Sequence, residues 1–247
     1  MESTEQEIAV FMRKISFITI HPKIIDSYRQ FGVFKSAEAA GLAKITATDL
    51  RDFAADKHGS IDGAPYGGGD GMVMRADCLA AALASVRTNF LGDSSEKKIK
   101  VIFTSPAGKL WAHQEAKAFA ESDESLVFIC GRFAGVDQRF IDAHVDEEYS
   151  IGDVVLAGGE LPTMMIAESI LRLIPGVLGD EGSAAEDSFG EGLDGRLEYP
   201  SYTRPPEWQG HKVPDVLMSG NHQAIGKWRR EESLRITKKF RPKLLFS

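Results

Sequence analysis

With 247 residues, 43% hydrophobic and 26% charged, the chain has enough apolar material for one large domain or two smaller ones, and its composition is not that of a disordered protein. Cys78 and Cys130 stand 52 positions apart, outside any CxxC or Cys/His cluster, which excludes a disulfide framework and zinc-type spacing; no run of about 18 apolar residues is available to span a membrane. The net charge of −7 argues against a nucleic-acid binder until its distribution is read: residues 204–247 hold ten Lys or Arg against four Asp or Glu, the asymmetry of a polyanion-binding end, although a merely solvated basic helix fits the charge equally well.

The opening segment, residues 1–11, is polar and acidic and reads as a disordered tail; with no basic-then-apolar leader, the expected location is the cytoplasm. Apolar runs without in/out alternation then recur at 14–20, 100–104 and 126–130, as in strands buried on both faces. Helices are expected at 22–30, 76–86, 112–121 and 136–143, so strand and helix alternate in the manner of a parallel α/β sheet. Residues 161–174 place Leu161, Met164, Met165, Ala167, Ile170, Leu171 and Ile174 at three- and four-residue steps, an amphipathic helix ended by Pro175 and Gly176. Glycine, serine and acidic residues dominate 179–200, which reads as a flexible interdomain linker. The expected domains are therefore 12–178 and a small basic module at 201–247, whose helix at 223–239 offers Trp228, Leu234 and Ile236 for packing.

Three glycine-bearing strings stand out. PYGGGDGM at 65–72 is incompatible with helix or strand and permits close backbone approach to a ligand, although it is neither GxGxxG nor GxxxxGK[ST]; a plain surface loop is the competing reading. ICGRFAGVD at 129–137 follows a buried-type strand, at the edge where open α/β sheets hold ligands. SIGDVVLAGGELP at 150–162 sets Gly158 and Gly159 just ahead of a helix, which taken alone is an ordinary turn.

Together with RLIPGVLGDE, EDSF, YPSYTRP, VPDVLMSGNH and KWRREESL, these strings closely resemble the bacterial tRNA (guanine-N1)-methyltransferase family, TrmD, of the SPOUT superfamily, over about residues 15–245. The resemblance implies a SPOUT-type parallel sheet with a deep C-terminal trefoil knot, an exception to the general absence of knots, plus a small, mostly helical C-terminal domain. It implies a homodimer with the active site at the subunit interface, and S-adenosylmethionine bound in the knot by Pro106, Gly108, Gly131, Ile151, Gly152, Asp153, Val154, Val155, Leu156, Gly158, Gly159 and Pro162. The substrate would be the tRNA anticodon stem-loop, at guanosine 37 preceded by another guanosine. Any magnesium ion would be held by substrate and cofactor oxygens, and no protein metal ligand is named.

Guanine N1 carries a proton at neutral pH, so methylation there needs a base, and a cation to stabilise charge spreading to O6. By resemblance the base is Asp187 of EDSF and the cation is Arg172; without the resemblance, Asp187 reads as a solubilising acid in a linker. RNA contacts fall by the same route to Ser188, Arg204, Ser219, Asn221, His222, Lys227, Arg229 and Arg230. Phe133 and Ala134 depart from the family's GRYEG, which has tyrosine and glutamate there. Loss of that carboxylate leaves a second reading open, a tRNA-binding relative with weakened or lost catalysis, while a ribose-methylating relative is disfavoured by EDSF and the basic module.

Overall fold

The structure, a computed structural model, describes residues 12–54, 56–91, 98–179 and 186–246; the tail expected at 1–11 lies outside them. The chain forms two compact units divided between Gly179 and Asp180.

In chain order the first unit runs β1 (Arg13–Thr19), α1 (Pro22–Tyr28), α2 (Gly32–Ala39), β2 (Ala43–Asp49), β3 (Asp62–Gly63), β4 (Val73–Met74), α3 (Ala76–Leu91), β5 (Ile99–Leu110), α4 (His113–Glu121), β6 (Ser125–Ile129), α5 (Gln138–His144), β7 (Glu147–Ser150) and α6 (Glu160–Leu171). Five strands form one parallel sheet in the order β2-β1-β6-β5-β7. Its central strands read as continuous apolar runs because both faces are covered. Ile15 and Phe17 of β1, with Leu126 and Phe128 of β6, pack against α1, α2, α4 and α6. Ile18, Val127 and Ile129 face the opposite layer, built by α3 and α5. Phe17 and Phe128 stack at 5.1 Å between ring centroids, tying the two central strands together.

The elements that the apolar pattern did not predict lie at the margins. β2 and β7 are the outer strands, and Glu147-Glu148-Tyr149-Ser150 carries too little apolar content to read as a strand. β5 extends well past the expected 104, but its pairing with β7 shifts register between Thr104 and Lys109, so that residues 105–108 bulge out of the ladder. In α6 the expected apolar stripe is divided: Met164, Ala167, Ile170 and Leu171 are buried, whereas Leu161 and Met165 are exposed, since apolar residues surround this helix and only one side meets the sheet.

The second unit contains a two-stranded hairpin, β8 (Glu207–Trp208) and β9 (His211–Lys212), then α7 (Asp215–Met218) and α8 (His222–Phe240). The described part of the expected linker, 186–200, carries ordered structure of its own. Phe189 N–H donates to Arg196 O (2.8 Å), Leu193 is buried in a short 3-10 turn, and Leu197 is held on α8. Its amide donates to Thr237 Oγ1 (3.0 Å), and its carbonyl accepts from Ser233 Oγ (2.6 Å). Ser233 and Thr237 are thus the buried positions of α8, while Trp228, Leu234 and Ile236, expected to do the packing, are half-buried.

Candidate active site

The strands β6 and β7 deliver their C-terminal ends, and β5 the start of its bulge, to one cavity of about 260 Å³. Its walls are residues 103–106 where β5 enters its bulge, 131–135 after β6, 149–152 and 154–159 at and beyond the end of β7, and Pro162 in the first turn of α6. Ten of the twelve residues expected to hold the cofactor line it; Asp153 and Gly108 do not. Gly108 answers another demand: a Cβ there would stand 2.5 Å from Tyr149 N, so only glycine lets the bulged β5 cross β7 so closely.

The walls touch backbone to backbone. Gly159 N–H donates to Gly131 O (2.8 Å), and a Cβ on Gly159 would stand 2.7 Å from Gly131 N and 2.9 Å from Cys130 Cα. The loop that leaves β7 thereby presents main-chain groups to the cavity, together with the exposed apolar residues Val154, Val155 and Leu156; Val155 is 88% exposed. Behind the wall, burial pushes the Cys130 thiol up, and its Sγ lies 3.3 Å from Thr163 Oγ1, which makes it a packing group and not a nucleophile. Burial likewise pushes the Tyr149 phenol up to about 12, so it stays neutral at the cavity floor.

The glycine string at 65–72 connects β3 to β4, and Gly67, Gly68, Gly69 and Gly71 all adopt positive φ, as their residue type allows. It lies against the second wall. Ala134 N–H donates to Met72 O (2.8 Å), Met74 N–H donates to Gly135 O (2.9 Å), and a Cβ on Gly71 would stand 3.4 Å from that of Ala134. Phe133 beside it holds φ 61°, a conformation costly for an aromatic residue.

A buried polar cluster missed by the sequence reading sits beneath both walls. Glu160, 1% exposed, accepts from Thr19 Oγ1 (2.7 Å) on one oxygen and from Arg132 Nε (2.9 Å) on the other, which also lies 2.8 Å from Arg132 Nη2. The available signal was the placement of Arg132 and Glu160 inside two of the glycine strings, which drew attention to the glycines alone.

Of the expected catalytic pair, Arg172 caps the C-terminus of α6 in the first unit and is half-buried; Asp187 belongs to the second unit, half-buried, with its carbonyl accepting from Gly190 N–H (2.9 Å). All eight expected RNA contacts lie in that second unit. Three of them also shape the backbone: Ser188 Oγ accepts from Glu198 N–H (2.9 Å), Ser219 Oγ donates to Val216 O (2.7 Å), and Asn221 caps α8 through Ala224 N–H (3.1 Å). His222, Arg204 and Arg230 are exposed. Lys227 lies 3.8 Å from Glu231, and Arg229 sits 4.8 Å over the Tyr199 ring and 3.9 Å from Glu186. Among the described residues no group of three His, Cys, Asp or Glu could hold a metal ion.

A two-sided parallel α/β unit with a main-chain-walled pocket at the C-terminal strand edge is a small-molecule-binding class of protein. The family model described as tRNA (Guanine-1)-methyltransferase TrmD matches residues 13–247. Proteins named tRNA (guanine-N(1)-)-methyltransferase are similar to this chain over 94% of its length: 45% identical in Citrifermentans bemidjiense and 47% in Neisseria meningitidis serogroup B, each covered over 89%, and 44% in Geobacter sulfurreducens, covered over 91%. The chain belongs to the tRNA (guanine-1)-methyltransferase TrmD family.

Proposed function

We propose that the chain transfers the methyl group of S-adenosylmethionine to N1 of guanosine 37, beside the anticodon of tRNA, in the cytoplasm and as a homodimer. Family membership makes it a tRNA methyltransferase; the donor, the position and the assembly are the proposed part. The observation that carries the donor is the pocket, whose main-chain groups at Gly131, Ile151, Gly152, Val154, Val155 and Leu156 suit hydrogen bonding to an adenine edge, and whose exposed Val155 and Leu156 suit its faces. The residues therefore fit the cofactor, and when bound it supplies a methyl group activated by a sulfonium. The close crossing of Gly159 over Gly131 supports reading this region as the family's trefoil knot.

Asp187 takes the N1 proton as the new bond forms, and Arg172 donates to O6, where the displaced charge collects. The base must first leave its stack, which favours a single-stranded loop as substrate. The basic stretch 204–247, with Arg204, Lys227, Arg229 and Arg230, grips phosphates, and Ser188, Ser219, Asn221 and His222 supply polar contacts. Any magnesium ion used in the transfer would be held by substrate and cofactor oxygens, with no protein ligand assigned. The homodimer is supported by an uncovered apolar surface: Leu161 and Met165 on α6, with Ile24 and Tyr28 on the adjoining α1, whose Tyr28 hydroxyl donates to Glu168. No helix among the described residues is long and apolar enough to cross a membrane.

The test is transfer of labelled methyl to an unmodified tRNA transcript carrying guanosines at 36 and 37. Label in 1-methylguanosine, reduced ~100-fold or more in kcat by Asp187→Ala, is the expected outcome. No transfer by the wild type despite tRNA binding would instead favour the lapsed enzyme that Ala134 suggests.

A further inference from the structure

Glu160 is the most deeply buried carboxylate beside the pocket, at 1% exposure, so it cannot itself touch a ligand there. Its partners come from separate pieces of chain. Thr19 ends β1, and its Oγ1 both donates to Glu160 and accepts from His21 N–H (2.9 Å); Arg132 belongs to the pocket wall after β6. Arg132 also reaches across the pocket rim, where its Nη1 donates to Ala157 O (3.2 Å) in the wall after β7. The guanidinium fills the space that a side chain at position 158 would need: a Cβ there would lie 2.1 Å from Nε and 2.3 Å from Cζ. Glu160 opens α6 and so anchors one end of that same wall.

Burying an ion pair contributes little net stability compared with apolar residues of the same volume, because desolvation offsets the attraction. Holding a planar guanidinium by two nitrogens on one carboxylate oxygen, and steering its third nitrogen to a carbonyl, instead fixes geometry. We infer that Glu160 is a positioning residue: through Arg132 it locks the two pocket walls at the separation that the cofactor needs, and Thr19 holds the carboxylate in register with the central strand. The inference rests on the pocket being the S-adenosylmethionine site.

The test is steady-state methyl transfer with S-adenosylmethionine varied at saturating tRNA, for wild type, Glu160→Gln and Thr19→Val, beside calorimetric titration of the wild type with S-adenosylmethionine. The amide keeps the size of Glu160 and can keep an oxygen on the guanidinium, but it removes the negative charge that holds Arg132 and turns a donor toward Thr19. It is expected to raise KM for S-adenosylmethionine at least tenfold with kcat within threefold of wild type; Thr19→Val is expected to raise it about threefold. A purely structural role would lower the active fraction, hence kcat, and leave KM alone, so an unchanged KM in both variants overturns the proposal whatever happens to kcat. If Glu160→Gln does not fold, Thr19→Val decides by the same criterion. Wild-type protein that takes up no S-adenosylmethionine would refute the pocket assignment itself, which calorimetry shows separately.

Discussion

Gly158 and Gly159 are adjacent in sequence and constrained by different neighbours. A side chain at 158 would meet the flexible guanidinium of Arg132, whereas one at 159 would meet the backbone of Cys130 and Gly131, which cannot step aside without moving β6. Gly159→Ala is accordingly expected to cost about 3 kcal/mol in urea unfolding, in line with overpacking of a rigid site. Ala134 presents the opposite situation, an exposed residue at the pocket lining whose Cβ would meet one on Gly71 at an ordinary 3.4 Å. Replacing it with glutamate puts a carboxylate beside the site proposed for a sulfonium, worth about 1 kcal/mol at a solvated position, so Ala134→Glu is expected to tighten S-adenosylmethionine binding about fivefold by calorimetry. Neither effect is visible in composition: it depends on which backbone lies across from each residue.

Among the elements, α8 shows how a small unit is held by hydrogen bonds where apolar burial is scarce. Ser233 and Thr237, one turn apart, hold both main-chain groups of Leu197, and Thr237 Oγ1 returns its own proton to Ser233 O (2.8 Å). Thr237→Val keeps the shape but strands the Leu197 amide, at about 2 kcal/mol. Amide exchange at Leu197 is then expected to run roughly 30-fold faster, with neighbouring positions in 186–200 following. If Asp187 is the base, the same variant lowers methyl transfer, because the segment that carries it loses its anchor. The opposite economy governs α6, which is so apolar that one face fills the core while Leu161 and Met165 remain outside.

For the whole molecule, charge and apolar surface divide the work. The acidic bulk of the sequence and its basic C-terminal stretch explain how a chain of net charge −7 can engage tRNA, with the attraction confined to residues 204–247. The exposed apolar residues of α1 and α6 lie side by side, the surface on which the proposed homodimer rests. Leu161→Glu combined with Met165→Glu is expected to weaken self-association ~100-fold or more, seen as monomer in sedimentation, with methyl transfer lost in step. Activity retained in a demonstrated monomer would exclude a shared active site.

Buried central strands announce themselves, since β6 is apolar at four of its five positions and Ile15, Phe17 and Ile18 of β1 fall in one short run without in/out alternation, and glycine strings announce close backbone approach, so the α/β class and the pocket loops were legible in the sequence together with the family. Other features answer to contacts between residues far apart in the chain. β7 is a strand because β5 pairs with it, despite two glutamates in its four residues; residues 186–200 are ordered because two hydroxyls of α8 meet Leu197; and Glu160 is an ion-pair partner because the fold brings Thr19 and Arg132 to it from 141 and 28 positions away. Local pattern records what a segment must bury, and so determined the class; only the tertiary structure decides what a buried polar group meets, because desolvation makes that meeting obligatory without saying where along the chain the partner stands.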